Sequence, residues 1–561
     1  MCHAALTCYD VLYAIFEHFD TLEETWYDYD WATQESHAWH IRQASVEGRR
    51  TLALCARVCR AFFNPAVALL WRNVDDLSRV FDLLRSAPLS STKPAIGSVD
   101  LDEQEVDLSC LSHVMSAHNP LQLVRLRCLH PQAVRALQYT RRVRGIHGSR
   151  KPSRSRDDSC RPPSWESVRL LFPQLRYLRW TPGASGVEDL AQLVPPSLHS
   201  LHIVVPKTSQ RGKSLTSLSL SEVLTKAPLL RYLRVSASDG VEGPWVDSFP
   251  HLAALETLDV LEFPFRDVSR SPSLIPLSAL RHLRHLKFCL PESMSAVGLD
   301  AFPSLQTLTL DATCTSILTT TAFLSTITSP QLKAFTLLNC QCVSTSTNAE
   351  LHELAAVLRA RFSASLRQLD LSMRGASHPL VSDTQPLLEI MAPILGMHAL
   401  TSVRILVSSE VSALTASKDD LRKAAEAWRK ATRLHLCYRG PVPALRDLAQ
   451  VKRRCPRLTD LVVPGIDASA SESESEPESE PGPREDLPAH GLQFLTLHDD
   501  GCDSDIPDAS RLARCLDALF PHVEWRCPSG GANAAWRETV EELVQLRIAR
   551  LQRGRSAFLS F

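Results

Sequence analysis

The chain has 561 residues, of which 44% are hydrophobic and 22% charged, a composition typical of folded proteins rather than disordered ones. This length exceeds what one ordinary hydrophobic core organises, so several domains or one elongated array are predicted. The 61 basic and 62 acidic residues give a net charge of −1, which argues against nucleic acid or an anionic membrane surface as a partner.

We find no targeting signal, metal-binding motif or catalytic motif in the sequence. No apolar run reaches the roughly 18 residues of a membrane-spanning helix, and the first residues lack the pattern of a signal peptide, so a cytoplasmic or nuclear location is expected. The sixteen cysteines are scattered, and none of Cys55/Cys59, Cys340/Cys342 or Cys455 has a second pair at zinc-finger spacing. The motifs of nucleotide sites, nucleophile elbows and zinc proteases are also missing. We therefore predict no enzyme activity, catalytic residue, cofactor or metal site.

For residues 1–75, the spacing of apolar residues predicts a small helical domain with an insert at residues 21–48. In the first predicted helix, Leu12, Ile15, Phe16 and Phe19 fall on one face. A second helix is predicted to begin at Thr51, and Asn64-Pro65 is predicted to end it and start a third. The apolar residues of these two helices are Leu52, Cys55, Val58, Cys59, Phe62, Val67, Leu70 and Trp71.

This front segment resembles an F-box. The family's apolar pairs and its Val-Cys-Arg element are matched in order by Val11-Leu12, Ile15-Phe16, Leu52, Val58-Cys59-Arg60 and Leu70-Trp71. The resemblance implies docking on the Skp adaptor of a cullin-RING ubiquitin ligase. The residues that would contact the adaptor are Val11, Leu12, Ile15, Phe16, Phe19, Leu52, Val58, Cys59, Leu70 and Trp71. The chain departs from the family at Thr7-Cys8-Tyr9-Asp10, which replaces Pro-x-Glu, and in its insert.

A short motif recurs from about residue 96 onward: apolar, two residues, apolar, one residue, apolar. Twelve clear copies begin at Leu175, Leu198, Leu230, Leu255, Leu283, Leu305, Leu332, Leu366, Leu400, Ala431, Leu458 and Leu492, and two weaker ones span 96–101 and 121–126. The clear copies are 22 to 34 residues apart. Each ends in a period-two alternation typical of a short half-buried strand, and a proline often precedes it, which ends the intervening helix.

These copies resemble leucine-rich repeats. The implied fold class is α/β: a three-helix F-box followed, over residues 76–525, by an irregular leucine-rich-repeat solenoid of short parallel strands with helices outside. The residues beside each central apolar position are predicted to face the concave surface. Those that would bind a substrate are Tyr177, Arg179, His202, Tyr232, Arg234, His285 and Lys287. Their tyrosines and arginines suit an acidic or phosphorylated segment, although ordinary solvated strand faces would have the same pattern.

Two loops and a terminal helix complete the prediction. Disordered loops are expected near residues 141–163 and 467–489. The basic residues of the first could be a nuclear localisation signal or a solvated loop, and the Ser-Glu alternation of the second could be a kinase target or a spacer. In residues 526–561, a capping helix is predicted over Ala534–Leu551. Its apolar stripe contains Trp536, Val540, Leu543, Leu546 and Ile548.

The predicted function is substrate recognition in a Skp-cullin-F-box ubiquitin ligase, with an unknown protein as the substrate. The alternative is a leucine-rich-repeat scaffold unconnected with ubiquitination, whose front helices only cap the array. A nucleic-acid-associated repeat protein is a third possibility, suggested by the basic segment 141–156 and opposed by the neutral overall charge.

Overall fold

The computed structural model is divided into two compact units, Met1–Leu255 and Glu256–Phe561, which we describe separately. The described residues are 8–19, 46–74, 138–149, 172–181, 188–205, 217–237, 251–261, 277, 279–290, 301–313, 315–342, 347–375, 385–408, 414–415, 417, 419–437, 442–467, 491–497, 509–526 and 534–559. The weaker motif copies, most of the insert and the acidic segment 468–489 lie outside them. In the described part, no helix is long and apolar enough to cross a membrane.

Three helices form the front of the first unit: α1 (Tyr9–Glu17), α2 (residues 46–55) and α3 (Arg60–Leu70). Their shared core consists of Leu12, Phe16, Leu52, Ala66 and Leu69. Three helices were predicted, but with other boundaries. The chain turns at residues 56–58, and α3 runs through Pro65 instead of starting there. Pro65 and Ala66 are buried, so packing keeps within α3 a proline that, from the sequence alone, is expected to end a helix.

The strands of the first unit form a parallel sheet in sequence order. They are β1 (Asn73–Val74), β2 (Gly145–Ser149), β3 (Tyr177–Thr181), β4 (Ser200–Val205) and β5 (Tyr232–Ala237). Two helices lie between them, α4 (Glu188–Leu193) and α5 (Ser217–Lys226). The ladder begins inside the predicted front domain, because β1 follows α3 by two residues. The front helices are therefore continuous with the sheet.

Strand β2 corrects the loop predicted over residues 141–163. Val143 and Ile146 are both buried, and the backbone of Gly145–Ser149 pairs with β3 along its whole length. This segment is a further copy of the apolar motif, with Gly148 in place of its last apolar residue. The surrounding arginines gave it the composition of a loop, but two buried side chains and a strand ladder outweigh that composition. Residues 150–163 lie outside the described part.

The second unit contains a longer parallel sheet. Its strands follow one another as β6 (Thr257–Leu261), β7 (His285–Cys289), β8 (Thr307–Asp311), β9 (Ala334–Cys342), β10 (Gln368–Gly375), β12 (Ser402–Val407), β14 (Arg433–Cys437), β15 (Asp460–Val463), β16 (Phe494–Leu497) and β17 (Glu524–Arg526). A separate pair is formed by β11 (Gln385–Pro386) and β13 (Leu414–Thr415). Strand β17 arises from an unpredicted motif copy that begins at Phe520.

The helices of the second unit alternate with these strands. They are α6 (Ile317–Thr326), α7 (Thr347–Phe362), α8 (Leu387–Ile390), α9 (Ala392–Leu395), α10 (Asp420–Ala427), α11 (Leu445–Arg454), α12 (Ala509–Leu519) and α13 (Ala534–Leu559). Prolines separate helix from strand as predicted: α11 ends at Arg454, directly before Cys455-Pro456. Successive helices also pack on one another, including α6 on α7 and α10 on α11. The two units thus share the architecture of a leucine-rich-repeat solenoid.

All twelve clear motif copies form strands, which confirms the repeat prediction. In every copy the first two apolar positions are buried, so each repeat contributes to the core of its own unit. An isolated short strand is unstable in water, and stacking on its neighbours supplies both the ladder hydrogen bonds and the apolar contacts. The repeat spacing is therefore a direct consequence of core packing.

Helix α13 packs against α12, and the Arg550 guanidinium is ion-paired with Asp517. Its buried residues are Thr539 and Leu543. Of the predicted apolar stripe, Val540 and Leu546 are half-buried and Ile548 is exposed. The predicted terminal helix is thus present and covers α12, and in part it uses other residues than those of the predicted stripe.

Candidate partner-binding surfaces

The residues predicted to contact an adaptor divide into three groups, which are buried, exposed or half-buried. Leu12, Phe16 and Leu52 are buried in the core of the front helices. The Phe16 and Phe62 rings meet edge to face, with centroids 5.3 Å apart. For these side chains, the prediction of a contact with a partner is corrected: they hold the three helices together, and their apolar character is explained by that packing.

The remaining residues of α1 face outward. Val11, Ile15 and Phe19 are spaced by four residues and are 39%, 44% and 37% exposed. Residues four apart lie on the same face of a helix, and Phe19 follows directly on the last turn of α1. We call these three residues the front apolar face. Val58, in the turn before α3, is 67% exposed, and Cys59 is also exposed.

Exposed apolar side chains are concentrated in the front helices. Of the thirteen large ones in the described part of the chain, eight lie between Tyr9 and Phe63. Single exposed apolar residues are ordinary, but a group confined to one small element is typical of a surface that a partner covers. The front helices are therefore the strongest candidate for a protein-docking surface.

Leu70 and Trp71, also predicted adaptor contacts, are half-buried at the end of α3. The Trp71 ring stacks on Tyr139, with centroids 5.2 Å apart and an interplanar angle of 15°. Close by, the Arg72 guanidinium donates a hydrogen bond to the Glu17 carboxylate at 2.8 Å. These contacts join the front helices to the start of the sheet, so Trp71 has a structural partner within the chain.

In the first unit, the sheet brings the predicted substrate-binding residues together. Arg179, His202 and Arg234 are register neighbours on β3, β4 and β5. Tyr177, Ser200 and Tyr232 form the adjacent row. Neighbouring strands are about 4.8 Å apart, so these side chains form a compact group. Arg179 is exposed, Tyr177, Tyr232 and Arg234 are half-buried, and His202 Nε2 lies 3.3 Å from Ser236 Oγ.

His285 and Lys287 lie on β7 in the second unit, apart from that group. Lys287 is in register with Asp259 on β6, so an acid lies beside it. Partial burial lowers the pKa of His285, and Arg284 lowers it further while Glu256 opposes the change. His285 is therefore neutral near pH 7. Because this pair contributes little net positive charge, the strands of the first unit are the better candidate for an anionic partner.

A charged row in the second unit was not among the predicted site residues. Asp370, Arg404 and His435 are register neighbours on β10, β12 and β14. Arg404 lies 3.5 Å from the Asp370 carboxylate, and His435 Nε2 lies 3.0 Å from Asp460 on β15. These residues occupy the same motif position as Arg179 and Arg234, so the motif contained the signal. Asp370 offsets the charge of Arg404 within this row, so the row carries less positive charge than the row of Arg179, His202 and Arg234.

The described residues contain no group of three or more His, Cys, Asp or Glu side chains that could hold a metal ion. Burial raises the pKa of the Cys455 thiol to about 11, which outweighs the opposing effect of Arg429 and Arg454. At neutral pH this residue is a thiol, whereas metal binding and nucleophilic attack need the thiolate. Cys340 is likewise buried.

Comparison with known proteins gives similarity to solved structures alone. No family model and no curated protein sequence matches the chain. An internalin from Listeria monocytogenes is 14% identical, with a TM-score of 0.29 and coverage of 54% of this chain and 77% of that one. A chain of the yeast Rad7 and Elc1 complex is 12% identical, with a TM-score of 0.36 and coverage of 66% of this chain and 82% of that one. The leucine-rich-repeat protein LegL7 from Legionella pneumophila is 15% identical, with a TM-score of 0.32 and coverage of 65% of this chain and 97% of that one. The repeat architecture therefore rests on the strands and buried leucines described above.

Proposed function

We propose that this chain is the substrate-recognition subunit of a Skp-cullin-F-box ubiquitin ligase. The front helices would dock on the Skp adaptor, and through it on the cullin, while the repeats bind the target protein. The chain itself would carry out no chemistry and would contribute position and specificity.

The observation that carries this proposal is the front apolar face. Val11, Ile15 and Phe19 are exposed on α1, whereas Leu12 and Phe16 on the same helix are buried. Burial in a partner groove gains about 25 cal/mol for each Å² of apolar surface. Val11 and Ile15 also match positions of the F-box pattern, so the resemblance and the exposure support the same surface.

The target-binding part of the proposal is supported by the strands of the first unit. Arg179 and Arg234 flank His202 in one row, and Tyr177 and Tyr232 lie in the next. Arginine forms bidentate hydrogen bonds with carboxylates and phosphates, and tyrosine supplies contact area at low entropic cost. An acidic or phosphorylated segment of a target protein fits this composition.

The adaptor interface is tested by Val11→Asp with Ile15→Asp, measured as binding of the full chain to purified Skp adaptor. Both residues are exposed, so the chain should stay folded, and a charge in the apolar interface should weaken binding at least about tenfold. The matched control is Leu229→Asp, because Leu229 is exposed at 52% on the first unit away from the front helices. Equal affinities of the two variants, or no binding by the unaltered chain, would contradict the proposal.

A repeat scaffold unconnected with ubiquitination is the second candidate. The Trp71–Tyr139 stack and the Arg72–Glu17 ion pair attach the front helices to the sheet, as a solenoid cap requires. In that case the front apolar face would have no adaptor as its partner. The adaptor-binding measurement on the unaltered chain therefore distinguishes the two functions.

A further inference from the structure

A cavity of about 530 Å³ lies where the front helices meet the first strands, within the first unit. Tyr9, Tyr13 and Glu17 line it from α1, Arg72 from the end of α3, and Arg142 and Arg144 from the segment before β2. This side of α1 is distinct from both the buried face of Leu12 and the front apolar face. The volume is within the range of small-molecule sites, about 300–1,000 Å³.

The cavity is rich in arginine. Its lining contains three guanidinium groups and two carboxylates, those of Asp10 and Glu17, so its net charge is +1. Glu17 is already bound to Arg72, which is only 5% exposed. Arg142 reaches the Asn64 carbonyl at 3.4 Å. A ligand would therefore meet a positive surface formed chiefly by Arg142 and Arg144.

The backbone holds these arginines in place. The Arg144 N–H donates to the Arg72 carbonyl at 2.8 Å, and the Arg144 carbonyl accepts from the Tyr177 N–H at 2.8 Å. Arg144 is thus fixed between β1 and β3 in the sheet ladder. A side chain on a fixed backbone loses less freedom on binding than one on a loop, which favours affinity.

Aromatic rings form the adjoining wall. The Tyr9 and Tyr13 rings are stacked, with centroids 5.9 Å apart and an interplanar angle of 27°. Burial raises the pKa of Tyr13, although Arg72 and Arg144 act against it, so the phenol keeps its proton at neutral pH and can donate a hydrogen bond. The wall offers contact area for a flat or apolar group beside the arginines.

We infer that this cavity binds an aryl phosphate, with the phosphate against Arg142 and Arg144 and the ring against Tyr9 and Tyr13. Arginine pairs bidentately with phosphate oxygens, and aromatic pairs stack at centroid distances of about 4.5–7 Å. The phosphate could belong to a free small molecule or to a phosphotyrosine in a peptide. A ligand there would contact both the front helices and the sheet, and would stabilise the junction between them.

The test is calorimetric titration of the full chain with phenyl phosphate, alongside inorganic phosphate and a phosphotyrosine peptide with its unphosphorylated form. We expect phenyl phosphate to bind, and Arg144→Gln to weaken it at least about tenfold, the loss expected when one charge-assisted contact is removed. Arg141→Gln is the matched control, because Arg141 is exposed in the same turn and does not line the cavity. Arg142→Gln gives a second variant should Arg144→Gln disturb folding.

The outcomes of this titration either identify the ligand of the cavity or overturn the proposed site. Tighter binding of the phosphotyrosine peptide than of phenyl phosphate would assign the site to a peptide, and the reverse to a small molecule. Absence of phenyl phosphate binding, equal affinity for inorganic phosphate, or equal weakening by Arg141→Gln and the cavity variants would overturn it. None of these results depends on adaptor binding, which involves the opposite face of α1.

Discussion

At the scale of single residues, Asn339 has a backbone conformation that few side chains tolerate. Its φ is 54°, and it lies in β9 where the register with β10 shifts between Leu371 and Met373. One extra residue in β9 thus forms a bulge, and asparagine is among the residues that adopt left-handed geometry most readily. The Asn339 amide also donates to both carboxylate oxygens of Asp311 at 3.3 Å.

Replacing Asn339 by valine should therefore lower the free energy of unfolding of the second unit by about 1–3 kcal/mol, because a β-branched side chain is strained at positive φ. Asn339→Gly should lower it less, since glycine accepts this φ and loses only the contacts with Asp311. Urea denaturation followed by circular dichroism measures both variants. Valine and glycine variants of the same stability would show that backbone strain contributes nothing here.

At the scale of elements, α1 has three faces with different roles. Leu12 and Phe16 pack on α2 and α3, the front apolar face points to solvent, and Tyr9 and Tyr13 line the cavity. All these residues are apolar or aromatic, and the helical period alone groups Ile15 and Phe19 with Leu12. Only the packing of α3 against α1 distinguishes core from surface. It buries Leu12 and Phe16 and leaves the residue before each of them, Val11 and Ile15, exposed.

This division predicts opposite effects for two neighbouring substitutions. Leu12→Ala leaves a cavity in the helical core and should cost about 2–5 kcal/mol in the local stability of the front helices. Ile15→Ala should change that stability by less than about 0.5 kcal/mol, yet weaken adaptor binding. Native-state hydrogen exchange of α1 amides reports the first quantity. A large loss of protection in Ile15→Ala would place that residue in the core and remove it from the proposed interface.

At the scale of the whole molecule, the proposed function separates two tasks along the chain. In that proposal, adaptor docking would fall to the front apolar face, and target capture to the rows of Arg179, His202 and Arg234 and of Tyr177 and Tyr232 on β3, β4 and β5. The two sets of residues share no side chain, and the cavity involves a third set. Substitutions in one set should therefore leave the other activity intact.

Arg179→Glu with Arg234→Glu should abolish target capture while adaptor binding survives, because reversed charges repel an acidic segment. The matched control is Arg176→Glu with Arg231→Glu, which makes the same charge change at exposed positions just before β3 and β5. The measurement compares, by quantitative mass spectrometry, the proteins that co-purify with each variant. Unchanged capture by the first pair would eliminate these strand rows of the first unit as the binding surface.

The sequence by itself determined the repeats. Leucine spacing predicted all twelve strands of the clear copies, and Cys455-Pro456 predicted where α11 ends, because these features follow from local periodicity and from proline sterics. Periodicity also predicted the helices of the front segment. It missed β2 and β17, because Gly148 replaces the last apolar residue of one copy, Phe520 replaces the first leucine of the other, and basic or polar neighbours conceal the motif.

Only the tertiary structure decided which apolar side chains are buried and which are exposed. Pro65 lies inside α3, Leu12 is buried and Ile15 exposed, and Trp71 stacks on Tyr139. None of these facts follows from a local pattern, since burial depends on which distant segment packs against each face. The cavity has the same origin: strand pairing brings Arg142 and Arg144 beside tyrosines more than 120 residues away in sequence.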